Sequence, residues 1–529
     1  MPGVSRTQAA MKVWLAAALC ISAVSGTPLQ ALDYVSLDPP VEVRALWIDA
    51  AAIPRYENGV RELVETCAAA GFNVLFPEVI CRGYAVYPSE LLARDPRFAG
   101  APDTLAVMIR EAHRLGVEVH PWVWVFRAGY SYDHGAILKA HPDWAERDSE
   151  GNELSTNGGY WLSPANPDVR DFLIDVFCEL VARYEVDGLH LDYIRYESQD
   201  AGDYGYSECS VAEFIRQFGY DPRPRTAIIV KDSQNPQAAQ DPSVGIDEAR
   251  KFFELPVGPV REGELRLRDN WRRFRELQVS SFVERAARRI RAAARKALGP
   301  LRRPLVISAA VGEMPDLARL NLMQNWLNWL DNKWLDFVVP MSYSTDDQRF
   351  SRLVRRQRAT VGGRSLLVPG IGVFMHEDPR QAVCQIALAR EAGADGTSLF
   401  SASYLTDESV TALATGPYAP AGSDTPTARA GRTNSTLLAF RDPWGAVARL
   451  RRRACELYAG GRSDEADYFS GRADALAQYA SWRDCPTPHF PPVYTMLPAP
   501  QPEPVISQPP AETPAAAEDT GPSNREAQP

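Results

Sequence analysis

The sequence predicts an α/β chain folded as a closed (β/α)8 barrel of the TIM type, on three observations. Between Glu42 and Tyr404, eight short β-branched or aromatic runs alternate with longer segments of helical period. Several of those segments close on glycine or asparagine and restart as a strand a few residues later, the rhythm of repeated β-then-α units. No GxGxxG follows the first run, which removes the main reason to prefer an open dinucleotide-binding sheet.

The strands are expected at EVRALWID (42–49), NVLFPEV (73–79), VEVHPWVWVF (117–126) and VDGLHLDYI (186–194) in the first half. PLVISAAV (304–311), LDFVVPMSY (335–343), SLLVPGIGV (365–373) and GTSLFSA (396–402) complete the set. Amphipathic stretches such as VRELVETCAAAG (60–71), TLAVMIREAHRLG (104–116) and VRDFLIDVFCELVARY (169–184) supply the helices. Trp326, Trp329 and Trp334 lie at helical spacing and belong to the core. After the fourth strand the connection is long. Residues 197–263 read as an insertion, which in such a barrel sits on the catalytic face, and 264–298 as a long helix.

Outside the barrel (42–404), residues 405–436 are polar and rich in Gly and Thr, as in a linker, and 437–485 read as a helical hairpin. From 486 to 529 proline and alanine dominate, a composition that cannot bury enough apolar surface to fold, leaving the tail free to meet an envelope partner. At the other end, Lys12, the apolar run Val13–Val24 and the small residues Ser25, Gly26 and Thr27 make residues 1–26 a secretory signal. Leu19 before Cys20 disfavours a lipidation box, and no other stretch is apolar enough to span a bilayer. An exported protein of the periplasm or cell envelope is expected. Losing Cys20 leaves an odd number of the eight cysteines, so at least one thiol is unpaired, with Cys455 and Cys485 the candidates for a bridge across the hairpin.

A net charge of −10 argues against nucleic acid, which needs clustered excess Lys and Arg. The local basic run Arg285–Lys296 is interleaved with alanines at helical period and reads as a solvated helix face.

Chemistry gathers at the strand ends. Gly188, His190 and Asp192 share one face of the fourth strand, and Asp192 falls at its C-terminal end, where catalytic side chains emerge from a parallel barrel. Arg195 follows closely enough to favour the ionised carboxylate. Glu313 after the fifth strand and Glu78 on the second are further carboxyl groups. Glycoside cleavage asks for two, one ionised to attack or activate water and one protonated to assist the leaving oxygen. Asp192 with Glu313 is the leading pair and Glu78 the reserve. A loop ion pair is the plain alternative for Glu313, and orienting His120 or Arg44 is that for Glu78. His120, Trp122 and Trp124 share a face of the third strand, and Trp161 and Tyr343 fall at strand ends or in loops. Flat aromatic faces suit sugar C–H faces, so these residues, with His190 and Arg195, are the expected substrate-binding set. Two histidines without a clear third ligand do not make a metal site, and no cofactor is expected.

The series EVRALWID, RGYAVYPSE, SPANPDVRDFL, VDGLHLDYIRY, NWRRFR, LDFVVPMSY and SLFSAS resembles, in order across roughly residues 42–404, the glycosyl-hydrolase-like family ten barrels of bacterial envelopes. The resemblance implies glycosidase chemistry on a polysaccharide, peptide-free peptidoglycan strands at the division site among the substrates of relatives. It places the family's strand-four aspartate and its arginine at Asp192 and Arg195, and its PMSY motif at Met341 and Tyr343. The chain departs from the family pattern after the second strand. Glu78 stands where a glutamine is usual, Ile80 and Cys81 replace an arginine-proline pair, and Tyr84 follows Gly83. A carbohydrate-binding envelope protein that keeps the barrel without the reaction is the rival expectation. A transglycosylase would use the same residues with a sugar as acceptor.

Overall fold

The computed structural model describes residues 42–223, 259–299, 304–419 and 443–484. The expected signal segment, the middle of the insertion, the proline-rich tail and Cys485 lie outside the described residues. All eight expected strands form. They are β1 (Val43–Ile48), β2 (Val74–Cys81), β3 (Glu118–Val119 and Trp122–Trp124) and β4 (Gly188–Asp192). Then come β5 (Val306–Val311), β6 (Phe337–Pro340), β7 (Leu366–Leu367 and Gly370–Gly372) and β8 (Gly396–Phe400). Pro121 and Pro369 sit in the gaps of β3 and β7, because proline cannot donate to a strand ladder.

Neighbours pair in parallel and in chain order. The ring closes through the broken β7. Its first piece pairs with β6 at Phe337 and Leu366, its second with β8 at Gly370 and Ser398, and β8 returns to β1 at Gly396 and Val43. Buried on both faces, the strands leave room for charge only at the two ends of the barrel.

Helices cover the outside, and their starts are written in the sequence. In SPANPDVRDFL, the Asn166 side chain accepts from the Asp168 amide at 2.9 Å, and Pro167 opens the helix Pro167–Arg183 where its missing N–H costs nothing. Against this helix lies the long helix Pro259–Leu298. Its basic run is more than a solvated face: Arg285 pairs with Asp171, Arg289 with Asp175 at 2.7 Å and Arg291 with Asp336 at 2.8 Å. These arginines tie the helix to its neighbours at half-exposed contacts. The described part of the insertion carries the helix Glu208–Phe218, whose Phe214 and Phe218 pack with Trp271 and Phe274 in a small second core.

A further loop was not foreseen. Between β3 and the helix Pro167–Arg183 the chain builds a two-stranded antiparallel ribbon, Arg127–Tyr130 with Gly159–Trp161, on the C-terminal rim. Residues 405–419, expected to begin a linker, instead form the helix Asp407–Thr415 and bring Tyr418 edge-on to Phe72, with ring centroids 5.5 Å apart. The hairpin is present as Pro443–Ala459 and Ser463–Asp484. No helix among the described residues is long and apolar enough to cross a membrane.

The N-terminal end of the barrel, its floor, is sealed by two buried charge networks. Glu42 accepts from Arg44 Nε at 2.6 Å and from Arg390 Nε at 2.9 Å, joining β1 to the helix Pro379–Glu391. Asp395 accepts from Arg358 at 2.7 Å, from the Leu367 amide at 2.9 Å and from Arg472 of the hairpin at 2.7 Å. Since every carboxylate oxygen involved meets a donor, the burial penalty of these ions is offset.

Two outcomes follow from this packing. Burial opposes ionisation of Glu42, but Arg390 and Arg44 outweigh it and hold the carboxyl at about 2, against an ordinary 4.5. A folded pKa below the unfolded one adds stability that is complete above pH 4.5 and drains away as pH falls towards 2. Glu42→Gln should therefore be less stable than the parent at neutral pH and lose less between those limits, as read by urea unfolding across pH. At Gly188, a Cβ would lie 2.5 Å from His120 Nδ1 and 2.7 Å from the Val306 carbonyl oxygen, which is backbone and cannot yield. Gly188→Ala should cost about 1–3 kcal/mol, measurable as a lowered thermal midpoint.

Candidate active site

The C-terminal rim encloses an open cavity of about 550 Å³. Asp192 ends β4 inside it. The pleat that turns Leu189 and Leu191 outward points His190 and Asp192 inward, and the register sets Asp192 opposite Trp124 and His190 opposite Trp122. The Trp122 indole N–H donates to Asp192 Oδ2 at 3.0 Å, and the Tyr193 amide donates to Oδ1 at 2.6 Å. Tyr193 itself adopts φ of +50°, a left-handed conformation unfavourable for a residue with a Cβ. Burial raises the Asp192 carboxyl above its ordinary value, while the Tyr193 amide, Arg195, Trp122 and Arg127 pull towards the charged form.

Glu78 faces the same cavity from β2, where its backbone pairs with Trp122. Its Oε2 accepts from the Ala50 amide at 2.9 Å. Burial, reinforced by the nearby Asp49 charge, pushes Glu78 up to about 7, against the pull of Ala50 and Arg97. It orients neither His120 nor Arg44, whose guanidinium lies at the floor. The two carboxyl groups are therefore separated by one strand and tuned in different surroundings.

Glu313 is not brought to this site. It stands one residue beyond Gly312, outside the cavity lining, and both its oxygens lie 2.9 Å from Arg349 Nη2. The loop ion pair, the plain alternative from the sequence, is what forms.

Of the expected binding residues, Trp122, Trp124, Arg195 and Tyr343 line the cavity. His120 and His190 point inward but one layer deeper. His190 stacks on Phe76 with centroids 4.1 Å apart and shares a hydrogen bond with Ser308 at 2.9 Å, while His120 meets Glu118 at 2.9 Å. Burial, and then His120, hold His190 well below its ordinary range, so it stays neutral. Trp161 turns away to donate to Glu197 at 3.0 Å, and its ring supports the Arg195 guanidinium at 4.9 Å. Trp161 thus acts on the site through Arg195.

Other lining residues come from loops whose composition carries no period. Arg82 occupies a two-residue turn, Cys81–Arg82–Gly83–Tyr84, with φ of +52° at Arg82 and +69° at Gly83, the pairing of two positive φ values that matches strand twist in a tight hairpin. The glycine at its second position was the signal that could have revealed it. Asp95 holds Arg97 by two teeth, at 3.0 and 2.6 Å, so that its guanidinium also borders the cavity. Asp49, at the end of β1, accepts from the Ser401 hydroxyl. Tyr130, Tyr132, Phe374 and Phe400 complete an aromatic surround. Among the described residues no three His, Cys, Asp or Glu side chains gather as a metal-binding group.

A fold likeness to the PgaB (BpsB) glycoside hydrolase domain from Bordetella bronchiseptica has a TM-score of 0.50 at 14% identity and covers 71% of this chain and 98% of that one. In sequence, the chain is 26% identical over 247 residues to "Glycosyl hydrolase YngK" of Bacillus subtilis, covering 41% of this chain and 45% of that protein. It is 28% identical over 150 residues to "Glycosyl hydrolase DigH" of Escherichia coli, covering 26% of this chain and 32% of that protein. The chain spans less than half the length of these curated relatives. The family described as glycosyl hydrolase-like 10 matches residues 42–362, which hold the first six of the eight parallel strands together with Asp192, Glu78 and the cavity tryptophans Trp47, Trp122 and Trp124. On a match over more than half its residues, the chain belongs to the glycosyl hydrolase-like 10 family.

Proposed function

We propose that this protein is an exported glycoside hydrolase acting on a polysaccharide of the cell envelope, with peptidoglycan glycan strands as the first substrate to test. The observation that carries the reading is the pairing of Asp192 and Glu78 in one aromatic-lined cavity, with Glu78 raised to about 7. Its membership of a hydrolase-like family supports the same reading. The Lys12-to-Thr27 pattern supports export.

In this reading Glu78 is the acid. It keeps its proton near neutral pH and passes it to the glycosidic oxygen as the bond to the anomeric carbon breaks. Asp192, fixed by Trp122 and Tyr193, faces the positive charge that develops on the sugar ring, and either attacks the anomeric carbon or aligns the water that does. Arg195 favours its ionised form. Trp122, Trp124 and Tyr343 present faces and edges to the sugar. A sugar hydroxyl in place of water would give transglycosylation with the same groups.

Release of reducing ends from peptide-free glycan strands and other envelope polysaccharides tests this directly. Asp192→Asn should lower the rate by about 10³-fold or more while the variant still binds the glycan. An Asn variant as active as its parent on every cleaved substrate would remove Asp192 from the reaction, and glycan binding without cleavage by either protein would favour the non-catalytic reading. The pH profile gives an independent check. An acid with a pKa of about 7 is competent below that value and loses its proton above it, so the rate should fall as pH rises through about 7. Glu78→Gln should be slower by about 10²-fold or more and lose that alkaline limb. A limb that persists in the variant would move the acid role elsewhere.

A further inference from the structure

Two rows of aromatic rings climb out of the cavity on opposite sides. The first starts at Trp124 of β3, passes Tyr130 at a centroid distance of 5.7 Å, and ends at Tyr132, stacked on Tyr130 at 5.4 Å with planes 11° apart. The second starts at Phe400 of β8, passes Phe374 beyond β7 at 6.0 Å, and ends at Tyr404, 5.9 Å further on. Phe374 follows strand seven, four from strand three in a ring of eight, and Phe400 and Tyr404 stand on or just beyond strand eight, three from it, so the rows rise from roughly facing parts of the rim. Between them sits Trp122, whose indole holds Asp192 and whose ring lies 5.9 Å from Phe400.

Exposure grows along both rows. Trp124 is 6% exposed and Tyr132 77%; in the second row Phe374 is 43% exposed and Tyr404 53%. Large aromatic rings gathered at a cavity mouth and left in water mark a surface meant to be covered. Tyr132 and Phe374 border the same cavity as the carboxyl pair, so the surface is continuous with the site rather than a separate patch. A pocket that grips a chain end needs one such approach. This one has two.

We infer that a glycan polymer lies across the barrel mouth, with sugars seated on Tyr132 at one side and on Phe374 and Tyr404 at the other, so that the bond presented to Asp192 is internal to the chain. The inference rests on the glycan-cleaving reading above and adds its mode: an endo-acting site that engages sugars on both sides of the cut. Pyranose rings would stack their C–H faces on the exposed rings, and the tyrosine hydroxyls would meet sugar hydroxyls at the edges. Binding energy gathered on these remote sugars is then available to hold the reacting one in place.

The test uses full-length Asp192→Asn protein, so that nothing is cleaved, and a panel of purified oligomers from disaccharide to octasaccharide. The panel comprises peptide-free peptidoglycan strands, β-linked N-acetylglucosamine, β-linked glucose and uronate chains, with affinity read by calorimetry. Affinity should rise with length, and adding Tyr132→Ala or Tyr404→Ala should weaken octasaccharide binding by about 10-fold each while leaving disaccharide binding unchanged. Tyr132→Phe, which keeps the stacking face, should retain most of the gain from length. Affinity that ignores length, or a gain that survives both alanine variants, would overturn the inference while leaving the cavity's taste for sugar intact. Failure of every oligomer to bind, the disaccharides included, would instead bring down the glycan reading itself.

Discussion

The indole N–H of Trp122 on the Asp192 carboxylate organises the rim. A carboxyl group at the end of an apolar strand is costly to bury and free to rotate unless donors meet it. Here one donor comes from the neighbouring strand and the other from the next amide in the chain, so the oxygens are fixed by backbone register and a strained residue rather than by a mobile ion pair. Register in turn depends on the closed ring: β3 must sit beside β4 with Trp122 opposite His190 for the bond to exist. The carboxylate is thus as well placed as the barrel is well closed.

The two ends of the barrel use charge differently. At the floor, Glu42 and Asp395 are surrounded by arginines and amides, and their role is to hold the ring, the helix Pro379–Glu391 and the C-terminal hairpin together. At the rim, Glu78 accepts from an amide, and among the described residues no arginine hydrogen-bonds to it, so burial keeps its proton in place. Between them a layer of Phe76, His120, His190 and Phe337 fills the interior, and the histidines there are stacked or hydrogen-bonded parts of the core.

The barrel could be read from the sequence because its strands are short, apolar and evenly separated, and because strand pleating assigns inward positions two residues apart. That rule turns Trp122, Trp124 and Asp192 inward, where they line the cavity, and it also turns His120 and His190 inward. It carries no information on depth, which is why the histidines proved to lie below the cavity. Glu313 shows a second limit. Two residues beyond its strand the pleat no longer applies, and the direction of the side chain is set by a partner, Arg349, that sequence spacing does not bring near. The loop residues Arg82, Arg97, Tyr130, Tyr132 and Phe374 were missed for a related reason. Their positions come from turns and from ion pairs across the rim, such as that of Arg97 with Asp95, and these leave no periodic trace. The dense aromatic stretch Tyr130 to Tyr132 was the one compositional hint.

The separation of floor from rim has a corollary. Arginines do not titrate near neutrality, and with Arg390 and Arg44 holding Glu42 at about 2 that floor network responds only to acid. The proton on Glu78 answers instead to local neighbours such as Asp49 and Arg97. A changed side chain at Asp49 or Arg97 would thus retune the rim's proton while the ion pairs around Glu42 at the opposite end stay as they are.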